Sequence, residues 1–174
     1  YLGIKGGKAR SSHAHMDAGS FVYDAYGVRW SMDLGRQDYA TLEVALKALG
    51  GNLWTYTQAS LRWEVSRLNN FFHSTLTVND AKHRVEGFAT LEQTINTATE
   101  QGGTFDLSPV LEDQVASAMR TVKIVNDKDL KVIDAIRTST DRSAKIRWTM
   151  VTPAAPAVEN DRIVLTSNGK TMYL

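Results

Sequence analysis

Apolar residues alternate with polar ones along most of this chain, and the period of two predicts strands rather than helices. The alternation runs over Ser20 to Ala25, Val28 to Leu34, Thr75 to Asn79, Gln114 to Val125, Leu130 to Ile136, Ala144 to Val151, Arg162 to Ser167 and Lys170 to Leu174. Phe21, Val28, Trp30 and Met32, with Met16 ahead of them, fall on alternating faces and read as core packing. Turn chemistry punctuates the strands. Gly27 closes a hairpin, Asn126-Asp-Lys-Asp129 reads as a turn, Asn168-Gly169 as a tight primed hairpin, and Pro153-Ala-Ala-Pro156 as an irregular crossing. One segment breaks the pattern: from Asp38 to Leu49, Leu42, Ala45, Leu46 and Leu49 share a helical face and Gly50-Gly51 supplies a stop. This segment is a short helix or a long decorated loop. Many strands joined by short turns predict an all-β fold, an antiparallel two-layer β-sandwich.

Composition narrows the picture. A length of 174 residues suits one domain, and no boundary or repeat divides residues 1–174. A formal net charge of +1 gives no global attraction for nucleic acid or an anionic membrane. No apolar run approaches a membrane span, and no secretory leader pattern is present. The chain opens at Tyr1 and ends at Leu174 a few residues past the Asn-Gly turn, which reads as a fragment or processed product that a signal peptide could have preceded.

The chemistry concentrates in Ser11-Ser-His-Ala-His-Met-Asp-Ala-Gly-Ser-Phe21 and Trp30-Ser-Met-Asp-Leu-Gly35. On a strand, His13, His15 and Asp17 would face one way at about 7 Å intervals, too far apart for one small ion. A tetrahedral zinc would take one of them and draw its other ligands from adjacent strands. The chain holds four histidines and no cysteine, so thiolate sites and disulfides are excluded. His73 stands at the entrance to an alternating strand, whereas His83 follows the turn-like Asn79-Asp80 in a charged segment and is expected to be exposed. Asp33, after the hairpin, can fold back beside the histidines. The candidate set is therefore His15, Asp33 and His73, with Asp17 as an acceptor that orients a histidine or a turn. Two imidazoles and a carboxylate suit zinc best, with nickel, copper or manganese as alternatives. Lys5, Lys8, Arg10, Arg29 and Arg36 are candidate partners for anionic groups, although scattered cations are usually only solvated.

His13-Ala-His-Met-Asp-Ala-Gly-Ser-Phe21, Gly27-Val-Arg-Trp-Ser-Met-Asp-Leu-Gly-Arg-Gln-Asp-Tyr39 and Phe72-His-Ser-Thr-Leu-Thr-Val78 together resemble the heparinase II/III family of polysaccharide lyases. The likeness is strongest over the first half, and from about Thr104 onward it lies in the succession of strands. It implies a zinc on His15, Asp33 and His73, and a catalytic role beside the sugar cleft for His13. It further implies an α-helical toroid domain of the same protein packed on this sandwich, with an acidic polysaccharide substrate such as heparin or heparan sulfate between them. The reaction would be β-elimination, with a tyrosine on the toroid as proton carrier. A periplasmic or secreted location follows from the resemblance, and a homodimer stays open.

Two other classes compete. A sandwich without its toroid could be a carbohydrate-binding or interface module. Alternatively, His15, Asp33 and His73 could hold a reactive water for a metal-dependent hydrolase, with Asp17 or Glu43 as base. Elimination leaves an unsaturated sugar; hydrolysis does not.

Overall fold

The computed structural model describes residues 1–139 and 143–174. Its strands are β1 (Leu2–Ile4), β2 (Phe21–Ala25), β3 (Val28–Ser31), β4 (Leu76–Val78), β5 (Thr90–Asn96) and β6 (Glu100–Asp106). They continue with β7 (Ser117–Val125), β8 (Asp129–Arg137), β9 (Ile146–Trp148), β10 (Ala155–Glu159), β11 (Arg162–Ser167) and β12 (Lys170–Tyr173). All pairings are antiparallel, in the orders β1-β2-β3, β4-β9, β5-β6-β7-β8 and β10-β11-β12. The predicted all-β sandwich is the fold observed.

Period-two burial builds the layers. On β7, Ala118, Arg120 and Val122 point inward and are fully buried, and their neighbours are half-buried. Ala118, Phe105 of β6 and Ile136 of β8 pack with Leu76 and Val78 of β4 and Ile4 of β1. Farther along, Tyr23, Val28 and Trp30 of the β2–β3 hairpin pack with Leu165 of β11 and with Ile124 and Leu130. The four-stranded sheet thus forms one layer and the strands around β2, β3 and β4 the other, each large buried side chain contributing about 1.5–3 kcal/mol. The hairpin turns where Tyr26 and Gly27 both take positive φ, as a two-residue primed turn requires.

Between β3 and β4 the chain leaves the sandwich and makes a helical excursion. Helix α1 (Tyr39–Ala48) starts where the Asp38 side chain accepts from the Thr41 amide, and it buries Leu42 and Leu46. These two leucines join Met16, Leu53, Trp63, Leu68 and Val85 in a separate apolar cluster. This second core lies under the histidine segment and forms its floor.

Several expectations need correcting. Residues 13–17 are not a strand: His13 has φ 62°, a left-handed conformation no ladder accommodates, and the segment is a loop closed by Ala14 N–H to Ser11 and Met16 N–H to Leu68. His83 is buried, not exposed, because its amide donates to the Asn70 side chain and its Nε2 to the Leu76 carbonyl. The crossing at Pro153 to Pro156 leads into β10, an edge strand where Pro156 is tolerated. Strand β7 starts at Ser117 and not at Gln114, since residues 112–114 turn after the 3₁₀ segment Ser108–Leu111, with Asp113 at φ 68° and the Gln114 amide donating to the Leu111 carbonyl. Strands β1, β5, β6 and β10 were not anticipated.

Candidate functional site

The His loop is held from three sides. Gly19 ends it with φ 77°, and a side chain there would meet Leu107 at 2.8 Å and Thr75 at 3.1 Å, so glycine lets the loop close on β4. From the sheet below, the buried Arg120 donates to the Gly19 and Ser74 carbonyls and makes a two-pronged ion pair with Asp134. From the excursion, Arg62 donates to the Ala14 carbonyl.

His73, fully buried at the end of a short 3₁₀ turn (Asn70–Phe72), meets Asp33 and Arg67. Its Nε2 lies 3.0 Å from the Arg67 carbonyl oxygen, which can only accept, so that nitrogen carries a proton. Its Nδ1 lies 2.6 Å from Asp33 Oδ2. In a neutral ring protonated on Nε2, Nδ1 is a lone pair facing a carboxylate, and only a cation between them removes the repulsion. At 2.6 Å that cation is a proton, and a zinc ion bonded to both atoms would hold them about 3 Å or more apart. The His15 ring lies beside this pair, its centroid 5.6 Å from that of His73.

The structure therefore brings His15, Asp33 and His73 together. Among the described residues, no group of three His, Asp or Glu side chains is already spaced to hold a metal ion, since the Asp33–His73 contact closes the gap between two of the donors. The donor set nevertheless fits zinc: two imidazoles and a carboxylate, with one imidazole oriented through a carbonyl on its far nitrogen. Burial lowers the pKa of His15, favouring the neutral, ligating form. Burial works to raise the Asp33 carboxyl, but the His73 hydrogen bond and charge, with the Gly35 amide and His15, outweigh it and leave Asp33 more acidic than an ordinary carboxylate.

Above this cluster lies a surface cleft of about 650 Å³, lined among others by Lys8, His13, His15, Asp33, Arg36 and Tyr39. His13 has different surroundings from His15. Its Nδ1 is 2.9 Å from the Tyr39 hydroxyl, its amide donates to the Tyr56 hydroxyl, and its ring stacks on Tyr39 and meets Trp54 edge-on. Asp17 pairs with Lys5 at 2.9 Å rather than with a histidine. Glu43 accepts from the Trp54 indole at 2.5 Å. Of the cations singled out in the sequence, Arg10 pairs with Glu86 and Arg29 with Asp24, whereas Lys8 and Arg36 line the cleft. Tyr39, Trp54, Tyr56, Arg62 and Arg67 were not anticipated. Tyr39 closes the Gly27-to-Tyr39 motif, and its place in that motif was the available signal.

Fold and site together define a β-sandwich domain with a histidine-lined cleft over an imidazole–carboxylate cluster anchored on the buried His73. The sequence model described as "Heparinase II/III-like, C-terminal" matches residues 1–174, and the chain belongs to that family of polysaccharide lyases. No curated protein matches the chain. No helix among the described residues is long and apolar enough to cross a membrane.

Proposed function

We propose that this domain is the sandwich-side wall of a lyase that cleaves a uronic-acid polysaccharide, heparin or heparan sulfate being the first candidates, by β-elimination. In this reading His15, Asp33 and His73 hold a structural zinc. The observation that carries the zinc is the Nδ1 of His73, left facing the Asp33 carboxylate by the Arg67 carbonyl. When bound, the metal would supply a rigid cross-link between the His loop and the segment entering β4.

The reaction needs a base for the proton beside the uronate carboxylate, an acid for the departing linkage oxygen, and positive or hydrogen-bonding groups at the carboxylate as charge spreads into it. The carbon–hydrogen electron pair becomes the new ring double bond as the carbon–oxygen bond breaks. The family resemblance assigns the proton carrier to a tyrosine on the helical toroid. From the sandwich side, His13 presents Nε2, because Nδ1 is engaged by Tyr39, and either accepts a proton or steadies the carboxylate. Lys8 and Arg36 supply positive charge on the cleft wall. A hydrolase finds less support, since the Asp17 carboxylate is paired with Lys5 and that of Glu43 accepts from Trp54. Family membership favours a periplasmic or secreted setting.

The test uses the protein with its toroid domain and a panel of uronic-acid polysaccharides. An unsaturated, ultraviolet-absorbing product that disappears in His13→Ala supports the reading. Saturated products would overturn it.

A further inference from the structure

Arg62 is fully buried, and among the described residues no carboxylate pairs with it. Its guanidinium rests against two aromatic rings that meet edge to face, 4.7 Å from the Tyr56 centroid and 5.2 Å from that of Trp63. Nη1 donates to the Leu53 carbonyl and Nη2 to the Ala14 carbonyl, both at 2.8 Å, and Nε has no partner among the described residues. Burying a cation without a counter-ion is costly, and an apolar side chain of similar volume commonly gives a more stable core. Packing alone does not account for an arginine here.

The two carbonyls it grips do. Ala14 is the residue between His13 and His15, and Leu53 precedes Trp54, whose ring meets His13 edge-on. One planar fork thus ties together the loop carrying both histidines and the loop carrying their aromatic neighbour. Tyr56, under the guanidinium, receives the His13 amide on its hydroxyl. A lysine would keep the charge but lacks the planar fork whose two terminal nitrogens reach separate carbonyls while its face lies on a ring.

We propose that Arg62 is the positioning residue of the His-Ala-His loop, setting the His13 ring against Tyr39 and Trp54 and holding His15 beside His73. This deepens the proposed function and rests on it only for the part that concerns zinc. Arg62 touches neither substrate nor metal; it acts through the backbone at Ala14 and Leu53.

The test compares wild type, Arg62→Met and Arg62→Lys by thermal unfolding, by nuclear Overhauser contacts of the His13 ring in metal-free protein, and by zinc titration. Both variants are expected to fold, with Trp63 indole signals kept. Both are expected to lose the His13 contacts to Tyr39 and Trp54 and to bind zinc about 10- to 100-fold more weakly. If Arg62→Met does not fold, Arg62→Lys carries the comparison. Contacts retained in a folded variant would overturn the proposal, whatever zinc does. Should wild type bind no zinc, the metal reading fails alone, and the His13 contacts still decide the role of Arg62.

Discussion

Asp33 Oδ2 stands 2.6 Å from Nδ1 of His73, and the opposite nitrogen of that ring donates to the Arg67 carbonyl at 3.0 Å. This pairing joins the end of the β2–β3 hairpin to the entrance of β4, two places 40 residues apart in the chain. A partly exposed carboxylate is thereby anchored to a fully buried imidazole, so the two ends of the contact respond differently to mutation.

His73→Ala empties a fully buried site and leaves the Arg67 carbonyl without its donor. The expected cost is about 2–4 kcal/mol of unfolding free energy in metal-free protein. His15→Ala, at a half-buried position, should cost less than about 1 kcal/mol under the same conditions. Urea unfolding in the presence of a chelator separates the two. Equal losses would contradict the placement of His73 in the core and His15 at its edge.

Burial lowers His83 from its ordinary value of 6.5 to about 4, the Leu76 carbonyl only partly offsetting the effect. The unfolded chain takes up this proton near pH 6.5 and the folded chain only near pH 4. Stability from this group is therefore complete above pH 6.5, falls as the pH drops, and levels off below about pH 4. The total loss is on the order of 3 kcal/mol. Denaturation at a series of pH values should show this slope in wild type and a flatter one in His83→Gln.

Asp134→Ala would leave the guanidinium of Arg120 buried and unpaired beneath Gly19 and Ser74, at a cost of about 3–5 kcal/mol. Replacing both partners, as Arg120→Met with Asp134→Leu, should recover most of that loss. A double-mutant cycle by chemical denaturation measures the coupling.

His13→Ala should lower kcat of the intact lyase by about 10²- to 10⁴-fold. Because His13 lies outside the Asp33–His73 contact, its removal should leave metal content and melting temperature nearly unchanged. Steady-state kinetics on the variant, with metal analysis alongside, checks both.

Much of this was legible because strand alternation and turn chemistry are local. Val28 and Trp30 alternate with exposed Arg29, and Asn168-Gly169 specifies its own turn, so the β2–β3 and β11–β12 hairpins could be read directly. Strand β6 was hidden by Gly102-Gly103, and β5 by a largely exposed face, where apolar alternation has no core to answer to. The co-location of His15, Asp33 and His73 was readable from motif and hairpin. The shape of the His loop was not, because His13 holds its left-handed conformation amid contacts from Tyr39 and Tyr56, and its neighbour Ala14 is gripped by Arg62, all from a distant segment. His83 failed for the same reason. Charged neighbours in sequence suggested solvent, while Asn70 and Leu76 bury it in space.

Elemental mass spectrometry of the purified protein beside His15→Ala and His73→Ala measures whether His15, Asp33 and His73 hold a metal. About one zinc per chain is expected, at a site of two imidazoles and a carboxylate, lost in both variants. Wild-type protein without metal after exposure to zinc, or zinc retained in both variants, would contradict that assignment.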